Sequence, residues 1–327
     1  MAGMHDDETG RRRWYGLLEG GGTAMAGLVL INVLWGASSI ATKEALLQLS
    51  AIEVVTLRFA IALAAVFLIA LVFDREALRI SVRDLPVLVF LSVVGVSLQF
   101  ILQVTSLVYT TATNFSLLFN LSAVFIMIFG VAFLGERLEK GHMIGTCIAF
   151  AGVVLIVTGG SPDLSAAHLP GDLIGLASAV LFGVYTVAAK RVSRKLRPLT
   201  ILTYTFLFGM LGLLPVYVFG TPMTSLSGLN QISWGSLLFL ALGCSVFAFL
   251  VYNHGMSRLR TSDAAITIYV TPLAGVTLAI LMLGEALTAF TIAGTALIMM
   301  GLYTTQSMTR ANDRRCSGPA SAETRNG

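Results

Sequence analysis

The chain has 327 residues, of which 56% are hydrophobic and only 12% are charged, with a formal net charge of +4. Soluble globular domains carry about 25% charged residues, so this composition excludes a water-soluble globular protein and predicts an integral membrane protein whose solvent is the lipid bilayer. The basic residues are too few for the net charge to indicate a nucleic-acid partner, and none is expected.

Taken in chain order, the elements begin with a polar N-terminal tail, residues 1–23, which contains three consecutive arginines. Ten apolar runs follow, and each approaches the roughly 20 residues that a helix needs to cross a bilayer core. A polar tail, residues 307–327, is predicted to be disordered. The fold predicted is all-α integral membrane, with ten transmembrane helices over residues 24–46, 52–73, 84–106, 110–133, 141–159, 172–193, 199–219, 233–256, 263–283 and 286–306.

The basic residues fall on one side of the predicted membrane. Of the 21 Lys and Arg residues, all but Lys43 and Arg58 lie in the two tails or in and beside the loops that follow even-numbered helices. Cytoplasmic loops carry the excess of Lys and Arg in such proteins. The pattern therefore predicts a multi-pass protein of the inner (plasma) membrane with both termini in the cytoplasm.

The second half of the chain repeats the first. Residues 134–138 (LGERL) match residues 283–287 (LGEAL) at an offset of 149, and residues 34–36 (LWG) match residues 181–183 (LFG) at an offset of 147. Each half contains five predicted helices, so the second must enter the membrane upside down relative to the first. Two inverted five-helix repeats around a midplane site are a recurring transporter architecture. The predicted repeats are residues 24–160 and 172–306.

Several short motifs occur in a characteristic order: Leu34-Trp35-Gly36 with Lys43, then Arg58-Phe59, the two Leu-Gly-Glu turns, the tract from Ser122 to Val157, and Thr271-Pro272. In these motifs the chain resembles the EamA family of the drug/metabolite transporter superfamily, over residues from about 24 to 306. One departure is Ala123, at the position equivalent to Pro272. The resemblance implies a ten-helix transporter with a central cavity, often an exporter of amino acids or other small metabolites.

Polar side chains form stripes along the predicted helices, and such side chains tend to face the bundle interior because they are costly in lipid. One helix face carries Trp35 and Ser39 together with Asn32 and Thr42, another carries Gln99 and Gln103 with Ser106, and a third carries Asn120 with Thr113 and Ser116. Aromatic residues occupy the equivalent positions in the second half. The predicted substrate-binding residues are Trp35, Ser39, Gln99, Gln103, Asn120, Phe182, Tyr185, Phe247 and Tyr269.

Such residues would give a cavity with an amide-rich wall facing an aromatic wall, which suits zwitterionic molecules such as amino acids with apolar side chains. The alternative is that these polar groups form interhelical hydrogen bonds, worth about 0.6–2 kcal/mol each. For any single residue both interpretations stay open, whereas the aligned stripes together favour a cavity.

Few charged residues lie within or beside the predicted helices. Glu136 and Glu285 each follow a glycine at a membrane edge, where a structural role at a helix N-terminus is favoured over proton transfer. Lys43 and Arg58 lie near the outer ends of their helices. They are expected to snorkel to the interface or to pair with a carboxylate such as Glu53, and attraction of an anionic group is the third alternative.

Glycines recur in the fifth and tenth predicted helices, at Gly141, Gly145, Gly152, Gly294 and Gly301. Because glycine lets two backbones approach closely, these positions predict tight helix packing rather than a binding site.

The leading hypothesis for function is secondary transport without ATP, since no nucleotide-binding Gly-rich loop occurs. Export of amino acids or related small metabolites is favoured. The alternative within transport is a multidrug exporter of lipophilic cations, which a carboxylate at mid-membrane would assist, and none is visible there. A small-molecule substrate and the bilayer are the expected partners, and the oligomeric state, a monomer included, is left open.

An enzyme is not expected. The four histidines, at positions 5, 142, 168 and 254, show no metal-ligand spacing and no nucleophile–base arrangement. The three cysteines form neither a metal site nor a disulfide framework. The sequence therefore predicts no catalytic residue, no metal and no cofactor. A structural or assembly protein is disfavoured by the inverted halves and the polar stripes.

Overall fold

The computed structural model describes residues 21–110, 115, 118–136, 140–158, 169–220, 228–283 and 289–316, and in these ranges it contains helices and no strand. This confirms the all-helical class that the apolar runs predict. The helices of the first half are α1 (Gly21–Leu46), α2 (Ala51–Phe73), α3 (Leu85–Ser92, Val93–Leu98 and Gln99–Tyr109, continuous), α4 (Ser122–Leu134) and α5 (Lys140–Thr158). Those of the second half are α6 (Leu169–Val192), α7 (Pro198–Gly220), α8 (Gln231–Leu238, Phe239–Phe247 and Ala248–Arg258, continuous), α9 (Thr261–Ala265, Ile266–Tyr269 and Val270–Leu283, continuous) and α10 (Ala289–Cys316).

Within the described residues, six of these helices are long and apolar enough to cross a bilayer. The apolar parts of α4, α5 and α10 are shorter. Large apolar side chains cover the outside of the bundle, with Phe73, Val72 and Phe219 among the most exposed. Such a surface is unfavourable in water and suits contact with lipid tails. The six candidate spans are Gly22–Leu46, Ala51–Phe73, Val82–Tyr109, Leu169–Val192, Pro198–Phe219 and Gln231–Arg258.

The interior contains two main apolar clusters. One is built mostly from α2, α3, α7 and α8, and the other from α1, α4, α5, α9 and α10, with α6 and α8 contributing to both. Trp35, on α1, packs against both clusters. The centre of the bundle therefore lies around this side chain.

Both α3 and α8 contain a π-helical segment in their middle, Val93–Leu98 and Phe239–Phe247 respectively. Gly95 and Ser97 lie in the first segment, and their sequence equivalents lie in the second. In the α8 segment the Ser245 hydroxyl donates to the Leu240 carbonyl at 2.9 Å. A π segment widens the helix locally and is frequent at functional sites. No feature used in the sequence analysis predicts these segments.

Helices α5 and α10 lie against each other through their glycines. A Cβ placed on Gly301 would lie 2.5 Å from the Gly145 carbonyl oxygen, and one on Gly152 would lie 2.6 Å from the Gly294 carbonyl oxygen. Such a distance to a backbone atom admits no side chain. The predicted role of these glycines in close packing is confirmed.

The helix boundaries differ in places from those predicted. Helix α10 continues to Cys316, beyond the end predicted at residue 306, because helical backbone can extend past an apolar core as long as its hydrogen bonds are made within the helix. Helix α6 begins at Leu169, before the predicted start at residue 172. The remaining parts of the two predicted tails, residues 1–20 and 317–327, lie outside the described residues.

Candidate functional site

Aromatic side chains gather around Trp35 at the centre of the bundle. The Trp35 ring lies 5.9 Å from that of Phe182, 5.7 Å from that of Phe249 and 5.3 Å from that of Tyr252, between centroids. Tyr185 joins them through Phe182 and Phe249. Edge and tilted contacts of this kind add about 0.5–1.5 kcal/mol per pair beyond the burial of area. We call these five residues the central aromatic cluster.

The two glutamines of α3 lie beside α6, the helix that carries Phe182 and Tyr185. The Gln99 amide Nε2 donates to Gln103 Oε1 at 3.1 Å and to the Ser178 hydroxyl of α6 at 3.2 Å. Ser178 is one helical turn from Phe182, on the same face of α6. Gln99 is 1% exposed, and its Oε1 atom has no hydrogen-bond partner among the described residues. An amide acceptor is thus left unused beside the rings, at a cost in stability.

Asn120 and Tyr269 are also buried. Tyr269 belongs to the same apolar cluster as Phe182 and Tyr252. The residue before Asn120, Phe119, places its ring 5.5 Å from that of Phe182. Tyr269 therefore packs in the same region as Phe182, and Asn120 is buried in the helix segment whose Phe119 contacts Phe182.

Phe247 is placed differently from the prediction. Its side chain is 45% exposed on the outside of the bundle, whereas Phe249 points into the central aromatic cluster. Phe247 ends the nine-residue π segment of α8, which is longer than the six-residue segment of α3, so equal sequence offsets do not give equal side-chain directions. The side chain of Ser39 lies outside the described part of the structure, as do Thr113, Ser116 and Glu285.

Other polar stripe residues join helices instead. The Asn32 amide Nδ2 donates to the Thr267 hydroxyl at 3.1 Å, and its Oδ1 accepts from the Thr271 hydroxyl at 3.0 Å, which links α1 to α9. Ser106 donates to the Gly171 carbonyl at 2.8 Å and links α3 to α6. Asn32 and Ser106 therefore form hydrogen bonds between helices, which was the alternative to lining a cavity.

Arg58 is the main residue of this region that is absent from the predicted substrate-binding set, although attraction of an anionic group was one of the alternatives for it. Its side chain is 5% exposed, and its Nε donates to the Ser245 hydroxyl at 2.7 Å. The guanidinium carbon lies 4.7 Å from the centroid of Phe100 and 5.7 Å from that of Phe59. A desolvated cation–π contact is worth about 2 kcal/mol, which helps to hold the charge inside. Arg58 therefore neither snorkels nor pairs with Glu53, whose carboxylate accepts from the Ser50 backbone N–H and caps α2.

The π segment of α8 joins Trp35 to Arg58. The Cys244 carbonyl accepts from the indole Nε1 of Trp35 at 3.0 Å, and the adjacent Ser245 holds Arg58. Two consecutive residues of one helix thus fix the direction of a ring on α1 and a cation on α2. The indole and the guanidinium consequently lie at the same level of the bundle.

Comparison with known proteins assigns this fold to a family. The model of the EamA-like transporter family matches residues 22–158 and, a second time, residues 169–306. The chain belongs to the EamA-like transporter family. It is accordingly a multi-pass membrane protein, and the suspected resemblance is confirmed.

Relatives of this EamA-like chain are named as transporters. One from Archaeoglobus fulgidus, named "Uncharacterized transporter", is 32% identical over 283 residues, which is 85% of this chain and 95% of the relative. One from Streptantibioticus cattleyicolor, named "Probable terminal-alkyne amino-acid exporter", is 26% identical over 306 residues, 90% of this chain and 97% of the relative. A solved crystal structure matches with a TM-score of 0.75 at 20% identity, covering 89% of this chain and 98% of that one, which shows the fold alone.

One end of the EamA-like bundle is closed by a charged network. Lys190 of α6 donates from Nζ to Glu136 Oε1 at 2.8 Å and to the Leu259 carbonyl at 2.6 Å. The Glu136 carboxylate also accepts from the backbone N–H of Thr261, at 3.0 and 3.2 Å, and from its hydroxyl at 2.8 Å. Burial alone would raise the pKa of Glu136, but the hydrogen bonds from Lys190 and Thr261 outweigh it and lower the pKa below 4.5. We call these residues the Glu136 network.

A second pair lies near the same end. His142 of α5 lies with its Nε2 2.8 Å from an Asp263 carboxylate oxygen at the start of α9. Together with the Glu136 network it connects α4, α5, α6 and α9. These contacts join the four helices at this end of the bundle.

The opposite end carries a cleft. A cavity of about 630 Å³ opens between the end of α1, the start of α2 and the end of α3, and Lys43, Ser50, Thr105 and Tyr109 are among its lining residues. Lys43 is exposed there. The described part of the bundle is therefore tied by charged contacts at one end and indented at the other.

Proposed function

We propose that this EamA-like chain is a secondary transporter of the inner (plasma) membrane that exports amino acids or related small metabolites by alternating access. Family membership and the names of the relatives support transport. The relative from Streptantibioticus cattleyicolor, named as a probable amino-acid exporter, supports the substrate class, because the match covers nearly all of both chains.

The contact between equivalent aromatic residues carries the proposal. Trp35 and Phe182 are equivalent at an offset of 147, and so are Phe59 and Phe206. The rings of the first pair lie 5.9 Å apart and those of the second 5.1 Å apart. If two inverted repeats are related by an axis in the membrane plane, equivalent residues in mutual contact lie beside that axis. The rings then mark the midplane, where such transporters bind their substrates.

The chemistry around this point favours a zwitterion over a lipophilic cation. The rings suit an apolar side chain, and the amides of Gln99 and Gln103 suit polar main-chain groups. The positive charge of Arg58 opposes binding of a cation. Among the described residues, no carboxylate forms an ion pair with Arg58.

The distribution of Lys and Arg supports an orientation with both termini in the cytoplasm. In that orientation the Glu136 network lies at the cytoplasmic end and the cleft beside Lys43 faces outward. The structure then corresponds to a state closed toward the cytoplasm. Alternating access requires the Glu136 network to open in the other state.

The test is counterflow in proteoliposomes that contain the purified full-length protein. Labelled amino acids are compared with the lipophilic cation tetraphenylphosphonium, in the wild type and in Gln99→Ala. Exchange of one or more amino acids that decreases in Gln99→Ala is expected. Gln48→Ala is the matched control, because Gln48 caps the exposed loop at Asn230, away from the rings.

Exchange of the cation alone would transfer support to the multidrug alternative. Exchange of neither class would overturn the proposed substrate. Amino-acid exchange that is unchanged in Gln99→Ala would leave the transporter in place and would remove the glutamines from the binding site.

A further inference from the structure

Most of the hydrogen-bonding capacity of Arg58 is unused. The guanidinium has five N–H donors, and within the described residues only Nε has a partner, the Ser245 hydroxyl. The two Nη nitrogens are not among the fully enclosed polar atoms without a partner. Each therefore keeps some accessible surface, although the side chain as a whole is 5% exposed.

Among the described residues, the positive charge of Arg58 also has no carboxylate partner. In the part of the chain that the structure describes, no carboxylate lies within 4 Å of the guanidinium. Glu53, one helical turn and a residue away, is engaged at the N-terminus of α2. An arginine inside a membrane protein is costly, and such residues usually pair or mark a pathway. Here the rings of Phe59 and Phe100 cover one side of the Arg58 guanidinium, and its two Nη groups remain available to bind a ligand.

Arg58 lies at the level of the central aromatic cluster, beside the proposed substrate path. Ser245 holds Nε, and the neighbouring Cys244 carbonyl holds the Trp35 indole. A molecule that stacks on the central aromatic cluster is thus at the same level of the bundle as the free Nη donors. A planar guanidinium matches a carboxylate through two parallel hydrogen bonds.

We propose that Arg58 binds the carboxylate of the transported molecule, so that the substrate is a small metabolite with a carboxylate and an apolar part. This inference rests on the transporter function proposed above and adds the group that the substrate must carry. The site is one-sided, because the residue equivalent to Arg58 at the offset of 147 is Thr205, whose hydroxyl donates to the Ile201 carbonyl within α7. A single carboxylate, held in one orientation, is therefore expected per binding site.

The experiment measures ligand binding rather than transport. The full chain in detergent carries Trp14→Phe and Trp234→Phe, so that Trp35 is its only tryptophan and reports on the central aromatic cluster. Each of the twenty amino acids, its primary amide, and the simple carboxylates acetate, 4-methylvalerate and succinate are titrated while Trp35 fluorescence is recorded. Chloride is compared with methanesulfonate at equal ionic strength.

The wild-type background is expected to bind at least one carboxylate about tenfold or more tightly than the matching amide, because a charge-assisted bidentate pair is much stronger than a neutral contact. Arg58→Gln should abolish that preference, and Arg58→Lys should restore part of it. Arg197→Gln, which removes an exposed arginine bound to Asp74, is the matched control.

Equal binding of acid and amide by the wild type would overturn the inference without any variant. A preference that survives in Arg58→Gln would overturn it as well, as would a response to chloride alone. Arg58-dependent binding of the simple carboxylates without any amino acid would support the inference and remove the amino-acid substrate. Arg58-dependent binding of an amino acid in a protein that shows no counterflow would support the Arg58 binding site and contradict the proposed transport function.

Discussion

Replacing Glu136 by glutamine tests whether the Glu136 network holds one end of the bundle closed. The substitution keeps the shape of the side chain and removes its charge. It leaves Lys190 facing a neutral amide, and it replaces one carboxylate oxygen that accepts from Thr261 by an NH₂ group. The ends of α4, α6 and α9 then share a neutral amide oxygen in place of a charged carboxylate.

The structure sets the expected magnitude. The Lys190 side chain is 9% exposed and that of Glu136 is 18% exposed, so the pair is neither fully buried nor at the surface. Removing one partner of a buried pair costs about 3–5 kcal/mol, and an exposed pair is worth about 0.2–1 kcal/mol. Since the amide oxygen can still accept one hydrogen bond, we expect a loss of about 1–3 kcal/mol in the free energy of unfolding.

The effect depends on pH in a defined direction. The pKa of Glu136 is lowered in the folded protein, below its ordinary value of 4.5. The carboxylate therefore contributes stability above that ordinary value, and the contribution disappears as the pH falls through the lower pKa of the folded state. The advantage of the wild type over Glu136→Gln should be constant between about pH 7 and pH 5 and should shrink under more acidic conditions.

The assay uses the buried thiol of Cys244 as an unfolding probe. With Cys147→Ser and Cys316→Ser, a thiol-reactive fluorophore labels the protein only when heating exposes Cys244. Glu76→Gln is the matched control, because Glu76 pairs with Arg197 at an exposed surface and should change stability by less than about 0.5 kcal/mol. A midpoint for Glu136→Gln that equals the Glu76→Gln midpoint at pH 7 would refute the reasoning.

Two further substitutions test helix packing by the same thermal assay. Gly301→Ala places a methyl group 2.5 Å from the Gly145 carbonyl oxygen and should lower the free energy of unfolding by about 1–3 kcal/mol. Gly235→Ala is the control: no atom lies within 4 Å of the added methyl group, so this change should be neutral or stabilise by up to about 1 kcal/mol. Equal midpoints for the two variants would contradict close packing of α5 and α10. Asn32→Ala removes the amide bonded to Thr267 and should lower stability by about 0.6–2 kcal/mol, and an unchanged midpoint would show that this link between α1 and α9 is not stabilising.

The features that follow directly from composition and spacing could be predicted from the sequence. Continuous apolar runs give helices because every backbone hydrogen bond in lipid must be made internally. Glycines at helical spacing predict close contact because only backbone atoms then separate two helices, as Gly152 and Gly294 show. The face of α1 that carries Trp35 was equally accessible to a helical-spacing argument, since 3.6 residues per turn fixes which side chains align.

A π segment breaks that argument, and Phe247 shows how. The prediction paired Gln99 with Phe247 at an offset of 148, which assumes that both helices turn by equal amounts per residue up to these positions. The π segment of α8 has nine residues and that of α3 has six, so the side-chain directions after them diverge. No residue type in either segment requires the wider turn. The inward position therefore passes to Phe249, which only the tertiary packing around Trp35 selects.

Arg58 shows a second limit, because its environment depends on helices that are distant in sequence. Counting from the start of α2 places the residue near a membrane surface, which favours snorkelling. That count takes no account of α3 and α8, whose Phe100 and Ser245 contact the guanidinium. A charge whose location is set by its neighbours can remain inside a bundle only if its interactions offset the cost of desolvation. The cation–π contact and the one hydrogen bond offset part of the cost of desolvating Arg58. A bound carboxylate is the ligand that would best offset the rest, because it supplies both the opposite charge and hydrogen-bond acceptors.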